Sequence, residues 1–432
     1  MISEGNLRTN KDISITEAVN VVIDKIILFL FVNALLIDTI NGIIIRKGLP
    51  SIGQPVRFLL FYLLMYRVFT LSLHGFVSFM IYYLLFMFMA FLHFFSNPEF
   101  GWFIADMAIV HKFIIIISVW IYVDIALKKK ILKPKSIYRI FYFNLIVLAI
   151  NLVLGIMGIG YSQYAGGIGS VGFFFAGNEV SGSMICLFAF VLVIVFNKYS
   201  LKKYFIFAFI ILLLSFIKVT KVAIIGTMIL VFMIPLIGMF MRYSLLSTKL
   251  LKFFVGVFFL LIVFFIIGYY TLDSIGLFNR IEYFYKVNSG DMLTLIMSGR
   301  NVFLKDAFMA FLNDYTFTEM LFGKGVEGAL AATGKYYGDT KAVEIDLFDF
   351  LFQFGFVGVS LLILLILSFM RNSYKAYIKT LGLFPLIMLF TNILLLFISL
   401  IAGHIYNSAM AAIFIGILNG MVYYGFPEDI KK

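Results

Sequence analysis

The chain has 432 residues, of which 63% are hydrophobic and 13% are charged, and its net charge is +12. So few charged side chains cannot cover the surface of a water-soluble protein of this length. The composition therefore excludes a soluble globular protein and predicts a multi-pass membrane protein.

Apolar segments long enough to cross a hydrocarbon core of about 30 Å as helices recur along the chain. They do not alternate polar and apolar residues as the strands of a barrel would. Near Arg67, the turn at Leu73, His74 and Gly75 predicts a tight hairpin. We therefore predict an all-α, polytopic integral membrane protein with about 12 transmembrane helices. These spans lie near 21–45, 56–72, 75–95, 107–127, 137–156, 179–197, 202–218, 221–241, 250–271, 350–371, 379–400 and 403–424.

The distribution of lysine and arginine among the short loops predicts the orientation, because basic loops stay in the cytoplasm. Both termini are then cytoplasmic. One segment disagrees: Arg46–Arg57 carries three cations on the predicted outer side, but four basic loops outweigh it. These four loops are Lys128–Arg139, Asn197–Lys203, Arg242–Lys249 and Arg371–Lys379; the predicted outer loops are Ser96–Trp102, Gly155–Glu179 and Asp273–Asp349.

The last outer loop divides the chain into a membrane bundle at 1–271, a large extracytoplasmic loop at 272–349 and a second bundle at 350–432. It holds 11 of the 22 acidic residues and 7 of the 34 Lys and Arg. The positive net charge therefore reflects topology, and no nucleic-acid partner is expected. A loop of this length is seldom a passive connector. Its helical repeat predicts that it is partly helical, with apolar residues at Leu304, Ala307, Phe308, Phe311 and Leu312.

Arg300 begins that repeat, and Ser298 is a suitable N-cap for a helix that would place Arg300 in its first turn. A helix dipole disfavours a cation there. The arrangement is typical of an anion site, in which backbone N–H groups and the guanidinium hold a phosphate. A solvated arginine, or an ion pair with Asp306 or Glu282, explains the residue equally well.

Two further patterns follow in this loop. The three glycines of Leu321–Gly328 would let the backbone approach a ligand, although a surface turn explains them better. Beyond them, Asp346, Asp349 and Gln353 recur at helical spacing and predict a polar stripe entering the next span. An ionisable group at that depth normally faces a cavity.

Two lysines and one histidine lie near the same predicted membrane face. Lys218 and Lys221 would support an anionic ligand, although snorkelling to lipid headgroups is an equal alternative. His404 opens the last predicted span, where a structural role is commoner than a catalytic one. His74, His93, His111 and His404 show no metal-ligand spacing, so we predict no metal site; the single cysteine, Cys186, allows no internal disulfide.

Together these motifs resemble a known family. The predicted outer loop carries Ser-Gly-Arg and then Phe-Gly-x-Gly. Glu-x-Asp-x-x-Asp follows, ahead of Gly-x-x-Gly, and Gly-His lies near the end of the chain. In this order of motifs the chain is similar to Wzy-type bacterial polysaccharide repeat-unit polymerases. The resemblance covers roughly Lys218 to Asn419 by motif. O-antigen ligases have a similar plan, but tend to carry histidine where this chain has Glu344 and Asp346.

The resemblance implies a plan like that of GT-C glycosyltransferases and a cofactor-free, metal-independent glycosyl transfer at the outer leaflet of a bacterial cytoplasmic membrane. The donor and acceptor would be glycans linked to undecaprenyl diphosphate, and a chain-length regulator and a flippase would be further partners. The leaving diphosphate needs cations where charge develops, and the acceptor hydroxyl needs a general base. Lys218, Lys221, Ser298 and Arg300 are the candidates for the diphosphate; Glu344, Asp346, Asp349 and His404 are the candidates for the base.

Two other classes compete with this hypothesis. A transporter, such as a flippase for lipid-linked sugars, would show broken helices, charges at the bilayer midplane and an internal repeat. The sequence shows no clear repeat, but leaves Asp38, Asp106 and Asp124 unexplained. A scaffold protein would predict nothing about the positions of the arginine and the acids.

Overall fold

The computed structural model describes residues 15–164, 167–242, 248–274, 291–338, 340 and 342–425. These residues form helices, together with one short two-stranded ribbon. The first ten helices are α1 Ile15–Val32, α2 Ala34–Arg46, α3 Gly53–Leu71, α4 Leu73–Ser96, α5 Phe100–Lys128, α6 Pro134–Ile156, α7 Gly177–Lys198, α8 Leu201–Lys218, α9 Lys221–Arg242 and α10 Thr248–Ser274. Four short helices follow, α11 Met292–Met297, α12 Arg300–Asp314, α13 Phe317–Phe322 and α14 Gly325–Tyr337, and then α15 Asp346–Thr380, α16 Leu383–Ile401 and α17 Ala409–Gly420.

Within the described residues, seven helices are long and apolar enough to cross a membrane, or eight if the bent pair of α1 and α2 forms one span. The seven are α4, α5, α6, α7, α9, α15 and α16. The predicted class of an all-α membrane protein is therefore confirmed. A helix or helix pair lies over each predicted span. The helix over the last of them, α17, has only 12 residues, which is short for a membrane crossing. The predicted number of about twelve transmembrane helices therefore stays a prediction.

The first predicted span is broken, because α1 and α2 meet at Asn33 with a bend of 64°. The side chain of Asn144 in α6 supplies the hydrogen bonds that the break removes. Its amide donates to the carbonyls of Phe31 and Val32, and its Oδ1 accepts the Leu35 N–H at 2.8 Å. Because buried backbone groups must be paired, this asparagine stabilises the bend.

Helix α15 runs further than predicted in both directions. It begins at Asp346 and continues to Thr380, so the basic segment Arg371–Lys379 is helical and the prediction of a loop there was wrong. The segment contains no glycine or proline to stop it, and Lys379 lies in the last turn, where the dipole favours a cation. Gly355, with φ 66°, breaks the regular helical geometry.

The core is centred on α7, in which every residue from Val180 to Phe196 is buried. Helices α6, α8, α9, α16 and α17 pack around it. Strands β1 Tyr161–Ser162 and β2 Ser170–Gly172 pair antiparallel in the segment before α7, a ribbon that the glycine-rich sequence did not predict.

The predicted large loop is partly helical where it is described, since it contains α11 to α14; its position outside the cell stays a prediction. Buried Ala307, Phe311 and Tyr315 pack against Ile345 and Phe352 to form a small core of their own. This core joins α12 and α14 to the beginning of α15.

A histidine–aspartate pair fastens α14 to the bundle. His93 Nδ1 lies 2.6 Å from Asp106 Oδ2, and Asp106 Oδ1 accepts the Val326 N–H at 2.6 Å. Gly325 is buried against this carboxylate, and a Cβ there would lie 2.7 Å from Asp106 Oδ2. The segment predicted as a ligand loop or a surface turn is instead a close packing contact, which also explains Asp106.

The predicted topology leads to a labelling experiment. In a Cys186→Ala background, we expect Ser162→Cys and Lys335→Cys to react with an impermeant thiol reagent added to whole cells, because both positions are exposed on the predicted outer side. Lys375→Cys, exposed at the other end, should react only after permeabilisation. The reverse pattern would invert the orientation.

Candidate functional site

Arg300 and Glu344 form the centre of the candidate site. Arg300 lies in the first turn of α12, as predicted, and is its first residue; its Nη2 donates to Glu344 Oε2 at 2.8 Å. The predicted cap was wrong, because Gly299 in the left-handed region, not Ser298, precedes the helix and no side chain caps it. Of the partners considered from the sequence, Asp306 is not the one used, and Glu282 lies outside the described residues.

His404 approaches the same carboxylate from the segment between α16 and α17. Its Nε2 lies 3.6 Å from Glu344 Oε2. His404 and Arg300 favour the charged carboxylate, so the pKa of Glu344 falls to about 2 although burial opposes this. Burial alone would lower the pKa of His404, but Glu344 and Asp346 raise it above the ordinary value. The carboxylate therefore stabilises a cationic histidine beside a cationic arginine.

Asp346 holds the backbone that carries the histidine. Its Oδ1 accepts the His404 N–H at 2.8 Å, and its Oδ2 accepts the N–H groups of Ile405 and Tyr406 at 2.9 and 3.0 Å. The carboxylate is 1% exposed. Three N–H donors thus depend on one buried anionic acceptor, so Asp346 is a clamp for the segment 404–406.

The polar stripe predicted on α15 is buried within the protein. Asp349 and Gln353 are 6% and 5% exposed, and they follow Asp346 into the bundle. Gln353 Oε1 is buried and has no hydrogen-bond partner among the described residues. Both side chains therefore extend the polar character of the site below Asp346.

The two predicted lysines have different surroundings. Lys221 Nζ donates to Ser298 Oγ at 3.1 Å, which brings Lys221 beside the start of α12. Lys218 is fully buried and its Nζ donates to Gln163 Oε1 in the ribbon segment. Lys221 and Ser298 thus join the Arg300 cluster, whereas Lys218 holds the ribbon against α8.

Backbone strain is concentrated around the site. Among the described residues, six non-glycine residues have positive φ, and three of them, Ser298, Glu344 and His404, belong to the cluster with φ of 57°, 61° and 58°. A fourth, Val219, lies between the two lysines with φ 58°. Such conformations cost of order 1–3 kcal/mol each and persist where the surroundings enforce them, often at functional sites.

Glu179, at the start of α7, is a residue of this region that the sequence did not single out. Its Oε2 accepts Ser408 Oγ at 3.1 Å, and its Oε1 lies 3.6 Å from Lys112 Nζ. Ser408 in turn caps α17 through the Ala411 N–H. Glu179 and Asp346 therefore hold the segment 404–410 from two sides. The only sign of Glu179 in the sequence is its position as an acidic residue at the start of an apolar span.

Two polar atoms at this site make no hydrogen bond in the part of the chain that is described, although one of them, His404 Nε2, lies 3.6 Å from Glu344 Oε2. Arg300 Nε and His404 Nε2 are buried and make no hydrogen bond. Buried donors of this kind are normally satisfied, so the site offers hydrogen-bond capacity for an anionic or hydroxylic ligand. No group of three or more His, Cys, Asp or Glu among the described residues has the geometry to hold a metal ion.

No family model matches this chain, and comparisons with curated proteins and with solved structures find no similar protein.

Proposed function

We propose that this protein is a membrane glycosyltransferase that joins lipid-linked oligosaccharide repeat units into a polysaccharide. The donor is a glycan on undecaprenyl diphosphate, the acceptor is a sugar hydroxyl of a second lipid-linked unit, and transfer takes place at the outer leaflet of a bacterial cytoplasmic membrane. The observation that carries the proposal is the half-buried group of Arg300, Glu344 and His404, held at one end of a membrane bundle.

The cations of the site suit a diphosphate leaving group. Arg300 uses Nη2 for Glu344, while its buried Nε makes no hydrogen bond among the described residues. Lys221 lies close enough that its charge interacts with that of Arg300. Two like charges held together are stabilised when an anion lies between them, and cations placed where charge develops lower the barrier for departure of a diphosphate.

The contacts favour His404 over the carboxylates as the general base. Glu344, with a pKa of about 2, is a poor proton acceptor at neutral pH, and Asp346 already accepts three N–H groups. Histidine is the side chain that most often transfers protons in catalysis, and His404 Nε2 makes no hydrogen bond in the described chain, with Glu344 Oε2 3.6 Å away. We assign Glu344 and Asp346 to positioning, and Asp349 to the polar floor below them.

One observation favours the transporter as the second candidate. The bend between α1 and α2 is a broken span, and Asp38 in α2 pairs with Arg57 in α3 among largely buried surroundings. Broken helices and buried charges are features of transport sites. The strained residues around Arg300, and the two buried atoms there that make no hydrogen bond among the described residues, belong to a different set of helices, and they favour chemistry. An O-antigen ligase would use the same groups with a different acceptor.

A single assay tests the proposal. The purified chain in detergent or proteoliposomes is given lipid-linked oligosaccharide as the only sugar source, with a chelator and without nucleotide sugar. We expect products with added repeat units and release of undecaprenyl diphosphate. Movement of the substrate across the bilayer without any lengthening would instead support a transporter.

A pH profile tests the role of His404. A base acts when deprotonated, so turnover should rise with pH through a pKa above the ordinary value of histidine. Glu344→Gln removes the anion that favours protonated His404, so the rising limb should move to lower pH. The measurement is the rate of chain extension against pH for both proteins. A limb that stays in place in Glu344→Gln would exclude His404 as the titrating base.

A further inference from the structure

A cavity of about 750 Å³ opens between α1, α3, α5 and α6, away from the candidate site. Tyr122 in its wall is roughly 24 Å of helix rise along α5 from Asp106, which contacts α14. The cavity therefore lies towards the opposite end of the bundle, at the face that the basic loops predict to be cytoplasmic.

One face of α1 supplies much of the wall. Its residues are spaced by three and four, as on one side of a helix; most of them are polar, and the last of them, Leu28, is apolar. Leu71, Ile131 and Leu132 add apolar surface from the other elements. The combination of a polar end and an apolar wall suits an amphiphile. The residues from α1 are Glu17, Asn20, Val21, Asp24, Lys25 and Leu28.

The inner wall of the cavity is electrically neutral. Arg67 donates to Asp24 through Nε at 2.8 Å and through Nη2 at 2.7 Å, and Tyr122 also donates to Asp24 Oδ1 at 2.9 Å. Arg67 Nη1 donates to Thr70 Oγ1. Arg67 and Asp24 neutralise each other. Whether the cavity attracts an anion or a cation therefore depends on the charged groups at its mouth.

Those mouth groups are mostly basic, although Glu17 adds an acid to the lining. Lys25 is an exposed residue of the lining, and Lys129 Nζ donates to the carbonyl of Leu71 at 2.7 Å. Lys128 and Lys130 flank Lys129 in the chain, and Lys128 pairs with Asp124, so Lys129 and Lys130 are the lysines of this run that add to the positive charge. Nearby, Asn20 Oδ1 is a buried acceptor without a hydrogen-bond partner among the described residues. The mouth thus offers cations for a phosphate and one acceptor for a hydroxyl donor.

We propose that this cavity binds an anionic phospholipid whose headgroup carries a hydroxyl, such as phosphatidylglycerol. The phosphate pairs with Lys25 and Lys129, a headgroup O–H donates to Asn20 Oδ1, and an acyl chain lies along Leu28 and Leu132. Basic pockets between transmembrane helices on the cytoplasmic side recognise anionic headgroups in this way. The proposal stands independently of the activity proposed for Arg300 and His404.

The test measures binding of phosphatidylglycerol to the delipidated full chain in detergent by native mass spectrometry. We expect binding at least roughly tenfold tighter than that of phosphatidylcholine, and a loss of roughly tenfold or more in Lys25→Glu, because the headgroup meets a reversed charge. Asn20→Leu should weaken phosphatidylglycerol binding through loss of the acceptor. Lys47→Glu, an exposed lysine after α2, is the matched control and should bind as the unaltered chain does.

Three results would overturn the proposal: equal binding of the two lipids, unaltered binding in both Lys25→Glu and Asn20→Leu, or binding of glycerol phosphate as tight as that of the lipid. The last result would indicate a soluble anion in place of a lipid. Thermal unfolding in detergent checks that the variants fold. If Lys25→Glu does not fold, the comparison of Asn20→Leu with the unaltered chain still tests the proposal.

Discussion

Arg300→Ala is expected to lose turnover by roughly 100-fold or more, as when one group that stabilises transition-state charge is removed. The substitution takes away the guanidinium that joins Glu344 to the start of α12, and with it the cation proposed for the leaving diphosphate. Arg300→Lys should also be strongly impaired, because an ammonium cannot reproduce the planar fork that serves two oxygen partners at once. Polymer length on a gel, with each variant at matched expression, measures the effect.

The controls for this experiment come from the same part of the chain. Lys305 and Lys335 are exposed, and Lys335 pairs with Asp314 at 3.3 Å, away from the cluster. Exposed ion pairs contribute little to stability, so Lys305→Ala and Lys335→Ala should make polymer of ordinary length. Wild-type polymer from Arg300→Ala would show that the anion-site hypothesis is wrong.

Helix positions could be predicted from the sequence because they depend on local apolar runs. The turn near Leu73 was found in this way, since α3 ends at Leu71 and Ser72 caps α4. The bend at Asn33 could not be found, because the hydrogen bonds that stabilise it come from Asn144, more than 100 positions away. Apolar periodicity contains no information about such a distant partner.

The candidate site was predicted in part for the same reason. Arg300, Glu344, Asp346 and His404 are unusual residues in their local sequence, and the structure brings them together. Their individual roles depend on which oxygen faces which donor, and no spacing rule gives that. Ser298 illustrates the point: it has the chemistry of a helix cap, yet its hydroxyl accepts a hydrogen bond from Lys221, a residue of a different helix.

Asp346 should prove as sensitive as Arg300, although we assign it no contact with substrate. In Asp346→Asn one anionic oxygen becomes an amide donor, which repels at least one of the three N–H groups that now point to the carboxylate. Leaving a buried donor unsatisfied costs about 1–3 kcal/mol, so the segment 404–406 should shift rather than the whole chain unfold. A displacement of about 1 Å near reacting groups can cost roughly 100-fold in rate.

Two measurements separate this positioning role from a loss of folding. Hydrogen exchange at His404, Ile405 and Tyr406 should accelerate in Asp346→Asn, while exchange in the buried helix α7 stays slow, because only the clamp is weakened. Asp314→Asn, which alters an acid at the end of α12, is the matched control and should change neither exchange at 404–406 nor polymer formation. If Asp346→Asn instead keeps wild-type turnover and slow exchange at 404–406, the segment is held by other contacts, and the precise placement of His404 does not depend on this carboxylate.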